Sequence, residues 1–193
     1  MSRIGLMGGT FDPIHHGHLV AAEEARVAFD LERVLFIPAG QPWQKGHRSV
    51  SSGEHRLAMT RLATEDNPFF AVSTIDLDRE GPTYTIDTLR AVRGGHPDGE
   101  LFFITGADAI SQILTWKDPD EVLALARFVA VTRPDHPIGD LRERGDLITI
   151  LEIPALAISS TDIRARVAEG RPIRYLVPDQ VRRYIDERAL YRA

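Results

Sequence analysis

The stretch that decides the fold reads RIGLMGGTFDPIHHGHLVAAEEARVAF and covers residues 3–29. Its first part, Arg3–Met7, is a short apolar run that is typical of a strand with both faces buried. Its last part, Gly17–Phe29, places Ala22 and Ala25 on one face at helical spacing. A strand, a glycine-containing turn and a helix in this order predict the first half of a βαβ unit.

Short apolar runs and helical stretches continue to alternate along the rest of the chain. The predicted strands after the first are Val34–Pro38, Phe70–Ile75, Leu101–Thr105, Phe128–Thr132 and Leu147–Leu151. The predicted helices after the first are Gly53–Glu65, Thr85–Val92, Ala107–Leu114, Asp120–Ala126, Ser159–Glu169 and Pro178–Arg188. This alternation predicts right-handed crossovers and a parallel sheet.

The fold expected from this order is a doubly wound α/β sheet with a C-terminal helical cap. We expect one domain over residues 1–193, with an α/β core at about 1–152 and the helical part at about 153–193. Ser51 and Glu54 are spaced as a capping box at the start of the second helix. Ligands of an open α/β sheet bind beyond the carboxyl ends of its strands, so we expect the site at that edge.

The composition excludes several classes of protein and of site. Of the 193 residues, 43% are hydrophobic and 26% are charged, which is ordinary for a globular protein. The absence of cysteine excludes disulfides, iron–sulfur clusters and thiolate zinc sites. The formal net charge of −5 argues against a nucleic-acid binder with a broad basic surface. No apolar run suits a signal peptide or a membrane span, so we expect a cytoplasmic location and no membrane partner.

The turn after the first strand combines two glycines with two histidines. Gly8 and Gly9 allow the backbone to approach a ligand closely, but the turn fits neither a Walker loop nor the dinucleotide fingerprint. His15 and His18 are three residues apart at a helix start, where unpaired N–H groups and the positive dipole end also lie. This pattern predicts an anion site. A histidine metal pair is an alternative, for which Asp12 is the one nearby carboxylate.

A second helix start, near the end of the chain, is rich in hydroxyl groups. Ser159 and Asp162 are spaced to cap the helix, and Ser160 and Thr161 add hydroxyl and N–H groups. Arg164 follows one turn later and offers a planar fork that suits phosphate oxygens. The segment therefore predicts a second anion-binding helix start, the alternative being an ordinary capped helix with a solvated arginine.

These motifs resemble those of a known enzyme family. The letters HHGH at residues 15–18 match the H-x-G-H signature of the nucleotidyltransferase superfamily. The letters GGTFDPIH at residues 8–15 and ISSTDIR at residues 158–164 resemble the two signatures of bacterial nicotinate-nucleotide adenylyltransferases. The resemblance implies a Rossmann-like nucleotidyltransferase fold. It also implies transfer of AMP from ATP to nicotinate mononucleotide, with release of pyrophosphate, for NAD biosynthesis.

The resemblance implies two neighbouring substrate sites and a set of catalytic residues. The implied catalytic residues are His15, His18, Lys45 and Arg164. The implied ATP-binding residues are Gly8, Gly9, Thr10, Phe11, Gly106, Asp108, Arg133, Ser160 and Thr161. The implied nicotinate-nucleotide-binding residues are Tyr84, Thr85 and Trp116. No protein metal site is implied, and Mg²⁺ would be carried with ATP.

The resemblance also implies what several of these side chains do. Asp108 would bind the adenosine ribose, and Arg133 would stack its guanidinium plane on adenine. Trp116 would stack on the pyridine ring, and Thr85 would receive the ring carboxylate. Lys45, in the long loop after the second strand, would close over the phosphates.

The sequence departs from the family pattern at three positions, and two other functions stay open. Trp43 and Gln44 depart from the Pro-Pro-His-Lys of many relatives, and Lys117 stands where many carry an aromatic residue. Phosphopantetheine adenylyltransferase is one alternative, although its first signature has threonine where His15 stands. A nucleotide-binding regulatory module is the other, although the histidines and Arg164 are intact. The expected partners are ATP and nicotinate mononucleotide, and the sequence leaves a homo-oligomer open.

Overall fold

Six parallel strands form the central sheet in the computed structural model, which describes residues 2–42, 50–132, 147–154 and 156–192. These strands are β1 (Arg3–Gly9), β2 (Arg33–Pro38), β4 (Phe70–Val72), β6 (Glu100–Gly106), β7 (Arg127–Thr132) and β8 (Ile148–Glu152). A separate two-stranded sheet pairs β3 (Gln41–Pro42) with β5 (Pro82–Thr83). The helices are α1 (His16–Ala28), α2 (Gly53–Thr64), α3 (Thr85–Gly95), α4 (Ala107–Ile110), α5 (Pro119–Leu125), α6 (Ser160–Ala168) and α7 (Asp179–Glu187).

The order of the strands confirms the predicted doubly wound fold. The sheet runs β4-β2-β1-β6-β7-β8, and every neighbouring pair is parallel. The direction of winding reverses between β1 and β6. In this class of sheet, ligands bind at that reversal, outside the carboxyl ends of the strands. Within the described ranges, none of the helices has the length and apolar character needed to cross a membrane.

The sheet separates two hydrophobic clusters. Phe36 and Ile37, which are neighbours in β2, belong to different clusters, because successive side chains of a strand point to opposite faces. One cluster lies under α3 and α5. The other lies under α1 and α2 and also contains Ile163 of α6 and Val181 and Ile185 of α7. The C-terminal helices therefore pack on the same face as α1 and α2, next to the turn that carries the histidines.

Several element boundaries differ from those predicted. The strand expected to reach residue 75 ends at Val72, because Thr74 and Asp78 close a turn through a 2.7 Å side-chain bond. The single helix expected at residues 107–114 ends at Ile110 and is followed by a 3₁₀ turn. The predicted capping box at Ser51 is wrong, because Ser52 is the N-cap and accepts from the N–H of His55 at 3.3 Å.

Gly40, which follows β2, is a position where we expect a side chain to be poorly tolerated. A Cβ atom there would lie 2.2 Å from the backbone oxygen of Asp76, so two backbone segments would have to separate. We expect Gly40→Ala to lower the free energy of unfolding by about 1–3 kcal/mol, the usual cost of forcing atoms into filled space. Urea denaturation measures this change.

Gly94→Ala is the matched control for that substitution. Gly94 lies near the end of α3, and no atom comes within 4 Å of an added Cβ. Alanine is favoured over glycine in helices by up to ~1 kcal/mol, so this variant should be at least as stable as the parent. Equal stability of the Gly40→Ala and Gly94→Ala variants would contradict the steric argument.

Candidate active site

Two cavities lie side by side at the carboxyl ends of β1 and β6. The first has a volume of about 600 Å³ and lies between β1, α1, β6 and the segment before α6. The second has a volume of about 190 Å³ and lies between β1, β6 and the start of α3. Gly8 of β1 and Thr105 of β6 line both cavities. Groups bound in the two cavities can therefore meet at the point where the sheet reverses its winding.

The two histidines of the first turn line the larger cavity together. His15 is the N-cap of α1, and His18 lies in the first turn of that helix. Their rings stack with centroids 3.8 Å apart, and Nδ1 of His18 accepts the backbone N–H of His15 at 3.2 Å. A neutral imidazole carries its proton on one nitrogen, so acceptance at Nδ1 assigns the proton of His18 to Nε2. His18 is thus oriented as a hydrogen-bond donor.

The imidazole of His15 has a lower pKa than that of an ordinary surface histidine. Burial is the main cause that lowers its pKa to about 4, and the nearby His16 lowers it further. The ring is therefore neutral at pH 7. Its Nδ1 is buried without a hydrogen-bond partner among the described residues. His15 can serve an anion as a donor of one directional hydrogen bond rather than as a full positive charge.

The start of α6 is attached to the loop that precedes α1. Ser159 caps α6 as predicted, because its Oγ accepts the N–H of Asp162 at 3.1 Å. Ser160 donates its hydroxyl to the carbonyl of Pro13 at 2.9 Å, and Arg164 donates Nη1 to the carbonyl of Asp12 at 2.7 Å. These bonds fix the guanidinium of Arg164 against the histidine-containing turn.

The second cavity has an aromatic wall and a helix start. Trp116 packs edge-on against Phe103 and Phe128, each with ring centroids 6.2 Å away, and also lines the cavity. Thr85 is the first residue of α3, so the positive end of that helix adjoins the cavity. The ammonium of Lys117, which also lines the cavity, lies 4.7 Å from the ring centroid of Tyr84. This wall suits a flat ring that carries a negative group.

Comparison with known proteins agrees with this geometry. The family model for cytidylyltransferase-like proteins matches residues 6–166. A Streptomyces coelicolor protein named "Probable nicotinate-nucleotide adenylyltransferase" is 62% identical over 186 residues, which cover 96% of this chain and 99% of that protein. A Paenarthrobacter aurescens protein of the same name is 60% identical, with 97% and 90% of the two chains covered. The chain belongs to the nicotinate-nucleotide adenylyltransferase family.

Solved structures of family members share the fold of this chain. The nicotinic acid mononucleotide adenylyltransferase of Plasmodium falciparum, complexed with NaAD, superposes with a TM-score of 0.83 at 20% identity. That match covers 99% of this chain and 98% of the Plasmodium chain. A putative nicotinate-nucleotide adenylyltransferase from Vibrio parahaemolyticus has a TM-score of 0.72 at 18% identity, over 100% and 96% of the two chains. At these identities the likeness concerns the fold alone.

The structure brings most of the residues expected from sequence to the two cavities, with three differences in placement. The first cavity gathers Gly8, His15, His18, Gly106 and Asp108. The second gathers Tyr84, Thr85 and Trp116. Gly9 and Thr10, which were expected to contact ATP, line the second cavity. The side chain of Phe11, also expected to contact ATP, is 2% exposed and packs in the core with its ring 5.1 Å from His18.

Three of the remaining expected residues belong to the start of α6 and line neither cavity. Ser160, Thr161 and Arg164 hydrogen-bond with the β1–α1 loop or with one another. Lys45 and Arg133 lie outside the described residues, as do Trp43 and Gln44. Their assigned roles stay predictions.

Sequence reasoning missed two buried charged residues beside the cavities. Asp76 lines the second cavity and accepts the hydroxyl of Thr88 at 2.8 and 2.9 Å, and burial raises the pKa of its carboxyl group. Arg56 of α2 donates to the carbonyls of Thr10, Gly40 and Ser51 at 2.9–3.0 Å. The sequence contained a signal for the burial of each residue. Asp76 lies between two apolar residues, and Arg56 shares its helix face with buried residues.

Proposed function

We propose that the larger cavity binds ATP and the smaller one binds nicotinate mononucleotide in this adenylyltransferase. The observation that carries the proposal is the shared lining of the two cavities at Gly8 and Thr105. Transfer of a group between two substrates requires their reacting atoms to lie about 3–3.5 Å apart. Two cavities that share one edge supply such a meeting point.

The contents of each cavity support this assignment. The larger one places His15 and His18 beside Gly106 and Asp108, so phosphate donors and a carboxylate for ribose hydroxyls share one space. The smaller one combines the ring of Trp116 with the positive end of α3. A pyridine ring with a carboxylate suits that combination, because the ring can stack and the anion can meet N–H groups.

The reaction requires positioning and charge stabilisation more than proton transfer. A phosphate oxygen of nicotinate mononucleotide is anionic at pH 7 and attacks the α-phosphorus of ATP without a general base. The bond from that phosphorus to the bridging oxygen breaks, and pyrophosphate leaves with the electron pair. Nε2–H of His18 would donate to the transferred phosphoryl group, with His15 beside it. Arg164 and the N–H groups of α6 would hold the leaving pyrophosphate, and Lys45 would close over the phosphates.

Mg²⁺ would enter this site bound to ATP. Across residues 2–42, 50–132, 147–154 and 156–192, no group of three or more metal-ligating side chains occurs. Mg²⁺ commonly keeps several waters and binds through substrate phosphates, where it neutralises negative charge. The cytoplasmic location and a homo-oligomer stay predictions.

Pyrophosphate release tests the proposed substrates. We expect the purified chain to release pyrophosphate from ATP when nicotinate mononucleotide is added, and not with phosphopantetheine or without an acceptor. Release with phosphopantetheine would favour the other transferase, and no release with any acceptor would favour a regulatory module.

Arg164→Lys tests whether Arg164 binds the pyrophosphate part of ATP. Lysine keeps the charge but loses the planar fork, whose two Nη atoms donate to the Asp12 carbonyl at 2.7 Å and to Thr161 Oγ1 at 3.4 Å. A hydrogen bond to a charged group contributes about 1.5–3 kcal/mol, so we expect kcat/KM for ATP to fall about 10- to 100-fold. The affinity for nicotinate mononucleotide should be almost unchanged by calorimetry.

Arg166→Lys is the matched control on the same helix. Arg166 pairs with Asp162 at 2.7 Å near the surface, and exposed ion pairs contribute little. This variant should keep kcat/KM within about twofold of the parent, since a tenfold change needs 1.4 kcal/mol. If Arg164→Lys weakens nicotinate mononucleotide instead of ATP, the two cavities are assigned the wrong way round.

A further inference from the structure

The carboxylate of Asp12 lies buried beneath the histidine-containing turn and joins it to a tyrosine that follows α7. Asp12 is 3% exposed. Its Oδ1 accepts the hydroxyl of Tyr191 at 2.7 Å, and its Oδ2 accepts the N–H of Ser51 at 3.4 Å. Tyr191 is 179 positions away in sequence, so only the tertiary fold brings the two side chains together.

Tyr191 is held in an unusual conformation for this contact. Its φ is +63°, in the left-handed region that bulky residues rarely adopt. Such a conformation persists only where the surroundings determine it strongly. Burial, followed by the negative charge of Asp12, raises the pKa of the Tyr191 hydroxyl, so it stays a hydrogen-bond donor. The hydroxyl also lies 3.9 Å from Sδ of Met59.

Two arginines complete the surroundings of Asp12. Arg56 is buried at 2% exposure, and its guanidinium interacts electrostatically with the Asp12 carboxylate. Nη1 of Arg56 also binds the carbonyl of Thr10, and Nη1 of Arg164 binds the carbonyl of Asp12 itself. A buried carboxylate requires such partners, because burial without them disfavours its charged form.

The backbone of Asp12 connects this cluster to the reacting groups. Its carbonyl orients the guanidinium of Arg164, and the carbonyl of the next residue, Pro13, accepts the hydroxyl of Ser160. His15 follows two residues after Pro13. A shift of the backbone at Asp12 and Pro13 would therefore displace both Arg164 and Ser160, and the bonds that hold the Asp12 side chain oppose such a shift.

We propose that Tyr191 is a positioning residue for adenylyl transfer. Its hydroxyl fixes the carboxylate of Asp12, and the fixed loop in turn places Arg164 and His15. The inference rests on the proposed roles of Arg164 and His15. Tyr191 itself touches neither substrate cavity among the residues that line them in the described part of the chain.

Tyr191→Phe tests the proposal, because it removes the hydroxyl and keeps the ring. We expect kcat to fall about 10-fold or more, since small misplacements of reacting groups cost up to about 100-fold. The matched control is Tyr184→Phe, which removes a hydroxyl 2.9 Å from Nδ1 of His55 on the face between α2 and α7. The control should keep kcat within about twofold, because neither Tyr184 nor His55 lines the two cavities or hydrogen-bonds to Asp12 in the described part of the chain.

Both variants are assayed well below their melting temperatures, so that loss of folded protein does not contribute to kcat. A structural role alone would lower the melting temperature of Tyr191→Phe and leave its kcat unchanged. Wild-type kcat in folded Tyr191→Phe overturns the proposal.

A double-mutant cycle with Asp12→Asn tests the route. If Tyr191 acts through Asp12, the double variant should be no slower than Asp12→Asn alone. A second cycle pairs Tyr191→Phe with Arg164→Lys and leaves Asp12 intact, in case Asp12→Asn does not fold. Additive effects in the available cycles overturn the proposed route.

The experiments distinguish failure of the proposed function from failure of the positioning role of Tyr191. Wild-type kinetics in His18→Ala and Arg164→Lys would refute the site assignment itself. Slow turnover in those two variants with wild-type kcat in Tyr191→Phe would refute only the positioning role.

Discussion

His18→Ala is expected to lower kcat by about 10²–10³-fold while ATP binding is largely retained. Donors aimed at charge that develops in the transition state typically contribute this much. His18 can donate from Nε2, because Nδ1 accepts the N–H of His15 at 3.2 Å and the proton is therefore on Nε2. The edge-on ring of Phe11, 5.1 Å away, further restrains the imidazole. Steady-state kinetics with both substrates varied separates kcat from KM.

Two companion variants make the result specific. His16→Ala removes the neighbouring imidazole, whose main visible effect is to lower the pKa of His15, and we expect only a small change in kcat. His18→Gln places an amide donor near the position of Nε2 and should restore part of the rate. A near wild-type kcat in His18→Ala, or equal losses in the His16 and His18 variants, would contradict the assignment.

The sheet could be predicted from sequence because its signals are local. Each strand of the parallel sheet is a short apolar run, and the turn at Gly8 and Gly9 stands between the first run and the first helix. The bounds of short elements were harder to predict. The helix expected at residues 107–114 breaks near Ser111, whose hydroxyl bonds to the carbonyl of Asp108 at 2.7 Å, and hydroxyl side chains compete with helical backbone bonds in this way.

The parts of the candidate site that lie within one sequence motif could be predicted. The parts that form where distant segments of the chain meet could not. The histidine pair lies within the four residues 15–18, and Ser159 and its capping partner Asp162 lie within the four residues 159–162. The bond from Tyr191 to Asp12 has no local signal, because it joins positions 179 residues apart. The motif also did not predict that Gly9 and Thr10 line the second cavity or that Phe11 packs in the core. A motif match identifies the residue type at a position but not the direction in which its side chain points.

The burial of His15 in the folded chain explains why its low pKa could not be predicted from the sequence. A histidine at a helix start is often half exposed, and its ordinary pKa would leave it partly protonated near neutral pH. The start of α6 bonds to this turn, and the carbonyl of Leu176, before α7, accepts the N–H of His16 at 3.1 Å. His15 is buried in this arrangement, and burial disfavours its charged form. The site therefore combines the neutral ring of His15 with the guanidinium of Arg164, a difference that the spacing of the histidines alone does not indicate.

We expect this enzyme to prefer nicotinate mononucleotide over nicotinamide mononucleotide by about 10²–10⁴ in kcat/KM. The carboxylate of nicotinate only accepts hydrogen bonds, whereas the amide of nicotinamide replaces one acceptor by a donor. At the start of α3 the amide donor would face backbone N–H groups, which only donate. Each buried mismatch costs ~1–3 kcal/mol, and two of them give this ratio at tenfold per 1.4 kcal/mol. Competition assays with both nucleotides measure it.

Variants of the second cavity separate stacking from anion recognition. Trp116→Ala should lower kcat/KM for both nucleotides by a similar factor, because stacking on its ring does not depend on the acid group. Thr85→Ala should narrow the ratio between the nucleotides, because a hydrogen bond from the hydroxyl to a charged carboxylate is stronger than one to a neutral amide. Lys117, whose ammonium lies 3.5 Å from Asp87 Oδ2 at the cavity wall, adds a cation on the same side. Comparable kcat/KM for the two nucleotides in the wild type would contradict the nicotinate assignment of this cavity and leave adenylyl transfer at the histidine pair untouched.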